Sequence, residues 1–262
     1  MCTLTLAWQV FDDAPVAVAA NRDEALDRES VSPGVYREDP LVVAPTDAEA
    51  GGTWIGYNEH GLFAGITNKW TDADLAADRS RGLLVADVLA ADSAAAAAER
   101  IEAATKTDEY DGFNLVVADE SAAYCYQWNG TLSRLEFEPG VQVIVNAAVN
   151  DTVHLPSDRL VIAREQADNA NAVRETLAVG DDESVSQWLE RAGDVLGDHE
   201  YGVCLHRDGF GTKSSSLIAL GPERTQYSFA PGPPCETAYE PVSLESTALS
   251  AVEAACDVEG HI

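Results

Sequence analysis

The second residue of the chain is a cysteine, which places a thiol next to the start of the protein. Methionine aminopeptidases remove Met1 when the next residue is small, so the mature chain would begin with a thiol and a free α-amine on Cys2. Such an amine titrates at about pH 8, and its neutral form can take the thiol proton to leave a nucleophilic thiolate. Cys2 is therefore a candidate nucleophile that carries its own base. The alternative is a small buried cysteine at the end of a strand.

Four consecutive polar residues, Asn21-Arg22-Asp23-Glu24, follow the short apolar run 15–20. If this run pairs with the alternating run 2–10 as a hairpin, Arg22 or Asp23 lies beside the mature N-terminus. An aspartate there can hold the α-amine in place, and an arginine can favour the thiolate or bind an anionic group. The alternative interpretation is a solvated turn closed by an arginine–carboxylate pair.

Two asparagines stand at the ends of apolar strand-like runs, Asn68 after 62–67 and Asn146 after 141–145. Either side-chain amide could donate a hydrogen bond to a developing oxyanion, although asparagine also commonly caps strands and turns. The glycine-rich segment 51–56 lacks a following lysine and leads into a strand, so it does not predict a nucleotide site. We expect its glycines to let the backbone pass close to a pocket, with Trp54 as a wall.

Lysine occurs at only three positions, and Lys213 in the segment Gly211-Thr212-Lys213-Ser214 is one of them. Its rarity indicates a specific use, and the alternative is a solvated loop. The five histidines and five cysteines show no HExxH, C-x-x-C or other ligand spacing. The sequence therefore predicts reduced thiols, no metal site and no cofactor.

The charge of the chain excludes several classes of partner. Lysine and arginine number 16 against 45 acidic residues, a formal net charge of -29, which repels nucleic acid and anionic membranes. The acidic residues are spread along the chain, as is typical of a halophilic protein. No signal peptide and no apolar run of about 18 residues is present, so we expect a cytoplasmic protein without integral membrane association. Its expected partner is a small molecule, and the oligomeric state stays open.

The elements that must position these residues follow from periodicity and turn signals. Residues 25–50 are predicted to be loop with a possible short strand at 41–44, and Asn129-Gly130 predicts a two-residue type I′ hairpin. The predicted strands cover 2–10, 15–20, 53–57, 62–67, 113–118, 122–128, 131–137, 141–145, 214–220 and 225–229, and the predicted helices lie within 80–105, 157–169 and 184–196. This order is not the strict alternation of a parallel sheet, and it favours an α+β fold of two antiparallel sheets with helices outside. We expect one domain over 1–230 and a loosely attached acidic C-terminal tail over 231–262.

These motifs together resemble the NRDE family, whose animal member is called transport and Golgi organisation protein 2. The resemblance covers about residues 1–220 and rests on an N-terminal Met-Cys, the literal Asn21-Arg22-Asp23-Glu24, Gly51-Gly52-Thr53-Trp54-Ile55-Gly56, Asn58-Glu59-His60-Gly61 and, more loosely, Asn146 and Gly211-Thr212-Lys213-Ser214. That family is similar to the cysteine N-terminal-nucleophile (Ntn) hydrolases, such as penicillin V acylase and bile salt hydrolase. The resemblance implies their four-layer αββα sandwich of two antiparallel sheets flanked by helices.

The resemblance also implies roles for individual residues. Cys2 would be the nucleophile with Arg22 and Asp23 beside it, and Asn146 would be the oxyanion donor. Lys213 would stand where those hydrolases commonly have an arginine, although lysine lacks the fork needed for bidentate binding. We assign substrate binding to three further residues, namely Asn21, Trp54 and Asn68. The expected function is hydrolysis of a small-molecule amide, and the alternative is a non-catalytic haem or lipid carrier that uses the same pocket.

Overall fold

The first two strands form a long antiparallel hairpin in the computed structural model, which describes residues 2–244. Strand β1 is Thr3–Trp8 and strand β2 is Val16–Ala25. Alternate side chains of a strand point to opposite faces, and here both faces are buried. Leu4 and Leu6 therefore face one core, whereas Ala7 faces another.

The described residues form two antiparallel sheets and four helices. The first sheet contains β1, β2, β10 (Gly140–Val145), β11 (Ala148–Val149), β12 (Thr152–Val153), β13 (His206–Arg207), β14 (Phe210–Leu220), β15 (Thr225–Ala230) and β16 (Glu240–Pro241). The second contains β3 (Ser30–Glu38), β4 (Leu41–Asp47), β5 (Ile55–Asn58), β6 (Phe63–Asn68), β7 (Phe113–Ala118), β8 (Ala123–Trp128) and β9 (Leu132–Glu136). The helices are α1 (Arg81–Val88), α2 (Ala94–Thr107), α3 (Leu160–Thr176) and α4 (Val185–Gly197), and a 3₁₀ turn follows at His199–Tyr201.

Three hydrophobic cores separate four layers. Helices α3 and α4 pack on the outer face of the first sheet around Trp188, and helices α1 and α2 pack on the second sheet around Leu84 and Ile101. The inner faces of the two sheets enclose the third core, which includes Leu6 and Phe63. The predicted α+β class and four-layer αββα arrangement are confirmed.

The strands of the first sheet follow the order β12-β11-β10-β1-β2-β14-β15-β16. β1 therefore lies in the middle of the sheet, with β10 on one side and β2 on the other. β13 pairs with β14 outside this path. The second sheet keeps chain order from β3 to β9, although the connection between β6 and β7 contains α1 and α2.

The prediction of loop for residues 25–50 is wrong except for the possible short strand at 41–44, which lies within β4. The segment forms β3 and β4, which pair with each other from Ser30↔Asp47 to Glu38↔Leu41. Pro33 is typical of a loop, but β3 is the edge strand of its sheet, where a missing N–H is tolerated. Bulges also interrupt the pairing of β3 with β4. The polar motif 21–24 is likewise not a turn after β2 but the continuation of that strand.

The hairpin between β8 and β9 is confirmed, but its turn differs from the predicted type. Trp128 pairs with Leu132, so three residues rather than two connect the strands. Gly130 takes the positive φ of +91° that this turn requires, whereas Asn129 does not have a positive φ. A type I′ turn needs positive φ at both central positions.

Residues 231–244, the described part of the predicted tail, lie against the first sheet. Strand β16 pairs with β15, and the hydroxyls of Tyr239 and Ser215 are 2.7 Å apart. The rest of the predicted tail, 245–262, lies outside the described residues. None of the helices within 2–244 is both long and apolar enough to cross a membrane.

Candidate active site at the start of β1

The pairing of β1 with both neighbours places Cys2 between two predicted site residues. Thr3 pairs with Asn21 of β2 and with Val145 of β10. One step along each antiparallel ladder sets Cys2 beside Arg22 on one side and Asn146 on the other. Leu4, Ala20 and Ile144 each lie two positions along the chain from one of these three residues, and they belong to the core between the two sheets. Because side chains two apart on a strand point the same way, all three site residues face the space between the sheets.

Cys2 is partly exposed and borders two cavities. The first, of about 140 Å³, is lined by residues that include Cys2, Arg22, Trp54 and Arg81. The second, of about 380 Å³, includes Cys2, Asp23, Asn146 and Gln166 in its wall. Asn68 borders both. The thiol therefore lies where two spaces of different composition meet.

Arg22 is a buried cation with unused hydrogen-bonding capacity. Its side chain is only 7% exposed, its guanidinium carbon lies 4.2 Å above the Trp54 ring, and its Nη2 is 3.5 Å from Asp47 Oδ2. Its Nη1 is buried with no hydrogen-bond partner among the described residues. Burial lowers the pKa of Arg22, and the carboxylates of Glu24 and Asp47 oppose that effect. A buried N–H without a partner is costly, and it can be satisfied by a bound anionic or carbonyl group.

Asp23 is anchored from the neighbouring strand. Thr212 of β14 pairs with Asp23, and its hydroxyl donates to Asp23 Oδ1 at 2.5 Å. The same hydroxyl oxygen accepts from the backbone N–H of Leu205 at 2.9 Å, which fixes its orientation. Burial raises the pKa of the Asp23 carboxyl, and the hydrogen bond from Thr212 opposes that rise.

The surroundings of Cys2 raise the pKa of its thiol. Its Sγ–H donates to the backbone carbonyl of Asp23 at 3.5 Å. Burial, followed by the charge of Asp23, raises the pKa of Cys2, whereas Arg22 lowers it. A thiol with a raised pKa reacts only if a base removes its proton during attack.

Asn146 is oriented as an amide donor beside Cys2. Its Nδ2 donates to the carbonyl of Asn68 at 2.7 Å, and its Oδ1 accepts from Gln166 Nε2 at 3.3 Å. An amide nitrogen carries two hydrogens, so one N–H remains available. The hydrogen bond between Asn146 and Asn68 joins the two residues that the sequence offers as alternative oxyanion donors. Asn146 donates through its side chain, and Asn68 accepts through its backbone carbonyl.

Two predicted site residues direct their side chains elsewhere. Lys213 is not among the residues that line either cavity, and its ammonium donates to the carbonyls of Leu26 and Arg28 at 2.9 and 2.6 Å. It lies at a register shift between Thr212 and Ser214, where β14 bulges against β2. Asn21 borders the first cavity, but its Nδ2 donates to the carbonyls of Leu196 and Val203 near the end of α4.

Sequence reasoning missed Arg81, which also lines the first cavity. It is the first residue of α1, and its Nη1 donates to the carbonyl of Gly112 at 2.9 Å. The sequence signal that could have identified Arg81 is Gly52 together with Gly82, the residue after Arg81. A Cβ on Gly52 would lie 2.2 Å from the backbone of Gly82, so glycine at position 52 lets the loop before β5 contact the start of α1. The four potential metal ligands that the described residues bring together lie elsewhere, around Cys204.

Solved structures with the same fold include three amide hydrolases. The chain is similar to penicillin V acylase from Agrobacterium tumefaciens (TM-score 0.53, 16% identity, covering 88% of this chain and 83% of that one). It is also similar to a C2A mutant of conjugated bile acid hydrolase from Clostridium perfringens (0.57, 12%, 94% and 93%) and to an N-acylethanolamine-hydrolyzing acid amidase orthologue from Caenorhabditis elegans (0.54, 12%, 83% and 92%). At these identities the likeness concerns the fold.

Sequence relatives are more specific. The mouse and human homologues of Transport and Golgi organization protein 2 are each 27% identical, over 243 and 244 residues, and each comparison covers 80% of this chain and 86% of the relative. The cow homologue is 28% identical over 243 residues with the same coverage. The family model described as "Transport and Golgi organisation 2" matches residues 1–229. The chain therefore belongs to the Transport and Golgi organisation 2 family.

Proposed function

We propose that the protein is an Ntn-type hydrolase that cleaves small-molecule amides through Cys2 after removal of Met1. The observation that carries this proposal is the position of Cys2 between Arg22 and Asn146, at the junction of two cavities. The family relatives are named for transport and Golgi organisation, so the support comes from the site and from the hydrolase fold.

The groups of the site that can donate and accept protons fit attack by a terminal cysteine. The neutral α-amine of Cys2 takes the thiol proton as sulfur attacks the amide carbon, and a tetrahedral oxyanion forms. The free N–H of Asn146 is positioned to stabilise that charge. The protonated α-amine then gives its proton to the leaving amine, and a thioester on Cys2 remains. Water attacks the thioester while the α-amine of Cys2 accepts its proton. The C–S bond then breaks, the α-amine returns the proton to the Cys2 thiolate, and the carboxylic acid is released.

Asp23 acts on the charge of the α-amine, and Arg22 acts on the charge of the thiolate. The Asp23 carboxylate, oriented by Thr212, favours the ammonium form of the α-amine that appears during attack. Arg22 favours the thiolate, and its unpaired Nη1 can bind a carbonyl or anionic group of the substrate. We assign both as positioning and electrostatic residues of the proposed reaction.

The two cavities suit the two halves of an amide. A planar amide bound over Cys2 would place its acyl part on one side and its amine part on the other. The first cavity, with Trp54 and Ile66 in its wall, offers apolar contacts to one part, and the second is bordered by Asp23, Asn146 and Gln166. Pockets for drug-sized ligands enclose about 300–1,000 Å³, so a first cavity of about 140 Å³ fits a small group rather than a haem.

Labelling of Cys2 with a β-lactone probe tests the proposal, because the probe acylates a nucleophile through a tetrahedral oxyanion. Intact mass first establishes that Met1 is absent. We expect one acyl group per chain, located on Cys2 and lost in Cys2→Ala. A variant with glutamate inserted between Met1 and Cys2 keeps the thiol but blocks removal of Met1. Its acylation should be at least about 100-fold slower, since the base is missing.

Three results contradict the proposal. They are Met1 retained on the folded protein, β-lactone labelling no faster at Cys2 than at the other thiols, and equal labelling of the insertion variant. Stoichiometric uptake of haem or lipid, together with any of these, would support the carrier hypothesis instead.

A further inference from the structure

We propose that the protein binds one Zn²⁺ ion between two cysteines and two histidines at a site distinct from Cys2. The ligands are His199, Cys204, His206 and Cys235. One ligand atom from each residue lies within 4.8 Å of the corresponding atom of every other. The four residues come from the 3₁₀ turn after α4, the approach to β13, β13 itself and the segment after β15.

The distances among the two sulfurs and the His206 nitrogen are within about 0.5 Å of those in a tetrahedral zinc site. Zinc binds sulfur at about 2.3 Å and imidazole nitrogen at about 2.0–2.1 Å, so tetrahedral geometry separates two sulfurs by about 3.8 Å and sulfur from nitrogen by about 3.6 Å. The sulfurs of Cys204 and Cys235 are 3.5 Å apart. The His206 Nε2 lies 3.8 Å from the first sulfur and 3.1 Å from the second. The rings of His199 and His206 meet edge to face with centroids 5.2 Å apart.

The backbone holds two of the ligands rigidly. Leu205 stands between Cys204 and His206, and it is bonded twice to Thr212, since its N–H donates to the Thr212 hydroxyl and its carbonyl accepts from the Thr212 N–H. Cys204 lies at a bend just before β13, and its sulfur is 3.8 Å from the Nε2 of His206, so the two ligands already face one point.

The other two ligands reach that point from opposite directions. Gly202 takes a left-handed φ of +62° at the end of the 3₁₀ turn, which turns the chain back from His199 toward Cys204. The segment around Cys235 passes over the end of α4, where a Cβ on Gly197 would lie 3.3 Å from the Cys235 nitrogen. Close packing of α4 against this segment brings the Cys235 sulfur to the cluster.

The chemistry of the ligands favours zinc over other metals. Two thiolates with two imidazoles in tetrahedral arrangement are the donor set of structural zinc sites. Four protein ligands fill the coordination sphere, so the site predicts a structural role rather than activation of water. The net charge of -29 adds a general attraction for cations. A disulfide between Cys204 and Cys235 is the competing use of the same sulfurs, and it would require them to approach from 3.5 Å to about 2.05 Å.

The metal would attach a segment that lies beyond the match to the family model. Cys235 lies beyond residues 1–229, which match the family model, whereas the other three ligands lie within them. The cross-link joins residues 31 positions apart and holds 231–244 against the first sheet. Because the unfolded chain does not bring the four ligands together, zinc would bind the folded state, and metal binding should stabilise the fold.

Metal analysis of the full-length reduced protein tests this proposal. Protein loaded with zinc and then passed over a desalting column should retain one zinc per chain by plasma mass spectrometry. Cobalt in place of zinc should show the visible absorption of a tetrahedral thiolate site. At free zinc about 100-fold above Kd, the melting temperature should rise by roughly 5–10 °C.

Matched variants separate the site from adventitious binding. Cys235→Ala changes an exposed residue outside the cores, and His206→Asn changes an exposed ligand of β13. Each should weaken zinc binding by more than about 100-fold and abolish the thermal shift, while circular dichroism stays unchanged. The controls His60→Asn and Cys125→Ala, away from the cluster, should bind one zinc as before.

Three outcomes would overturn the proposal, two of which concern zinc binding itself. One is less than a tenth of a zinc per chain after loading the reduced protein. The other is binding that survives in both Cys235→Ala and His206→Asn. A Cys204–Cys235 disulfide, seen as the loss of two hydrogens that persists under reducing conditions, would also exclude the zinc site.

Discussion

Two polar motifs that look alike in the sequence behave differently in the fold. Asn58, the last residue of β5, is buried and uses all of its hydrogen-bonding capacity. Its Nδ2 donates to the carbonyls of Leu89 and Ala91, and its Oδ1 accepts from the N–H groups of His60 and Leu62. The first two bonds tie β5 to the end of α1 and the other two close the turn to β6, so no capacity is left for a ligand.

The motif on β2 is equally buried but incompletely bonded. Asn21 Oδ1 and Arg22 Nη1 are buried without a partner among the described residues, and so are the hydroxyls of Thr3 and Thr5 on β1. The difference indicates which motif is built for stability and which for binding. Folding tends to satisfy buried polar groups, and unsatisfied ones persist where function requires them.

Removal of Asn58 should have the largest effect on stability. Asn58→Ala leaves two carbonyls and two N–H groups without partners, and we expect the free energy of unfolding to fall by about 3–5 kcal/mol. Urea denaturation measures this change. Asn171→Ala, at a half-exposed position of α3, should change it by less than about 0.5 kcal/mol. The rate of Cys2 acylation in folded protein should be unaffected, and a large decrease in that rate would show that the Asn58 turn belongs to the site.

Removal of Asn146 should have the largest effect on chemistry. We expect Asn146→Ala to slow β-lactone acylation of Cys2 by about 100- to 1,000-fold, because a donor to the oxyanion is lost. Alkylation with iodoacetamide proceeds without an oxyanion, so its rate should change little. An equal loss in both reactions would mean that Asn146 shapes the thiol rather than the oxyanion site.

A third prediction concerns Lys69, which follows the last residue of β6 and is 5% exposed. Burial lowers the pKa of Lys69 from 10.5 to about 8, with the nearby Cys125 opposing. At pH 7 the folded state holds the charge of Lys69 in a buried position, which costs free energy, whereas in the unfolded state the same charge is in water. Lys69→Met should therefore raise the free energy of unfolding by about 1–3 kcal/mol at pH 7.

The effect of Lys69 on stability depends on pH. Between about pH 8 and 10.5 the folded protein loses the Lys69 proton while the unfolded chain keeps it, so wild-type stability rises with pH over this range. The advantage of Lys69→Met should shrink across the same range. An advantage that is constant from pH 7 to 10 would contradict the buried-charge explanation.

The smallest expected effect comes from Arg22. Arg22→Met keeps contact with Trp54 but removes one of the groups that lower the pKa of Cys2, so iodoacetamide alkylation at pH 7 should slow by about two- to threefold. Arg28 remains 2.7 Å from Asp47, so that carboxylate keeps a partner and stability should stay within about 1 kcal/mol. A loss as large as that of Asn58→Ala would mean that Arg22 is structural and would remove the contrast between the two motifs.

Much of the candidate site could be predicted from strand pairing alone. The alternation in 2–10 and the apolar run 15–20 predicted a hairpin, and its register brings Arg22 beside Cys2. The loop prediction for 25–50 failed because an edge strand tolerates the proline that would interrupt a central one. Lys213 could not be oriented, since a bulge between Thr212 and Ser214 changes which way it points.

The amino-acid sequence by itself determined the family, the hairpin that carries Cys2, and the residue types available for amide chemistry. These depend on local periodicity and on motifs that are contiguous in the chain. Only the tertiary structure decided that Asn146 adjoins Cys2 from a strand more than a hundred residues away, and that two cysteines and two histidines from separate segments converge. Contacts of this kind depend on how distant strands and helices pack, and no local spacing of residues encodes them.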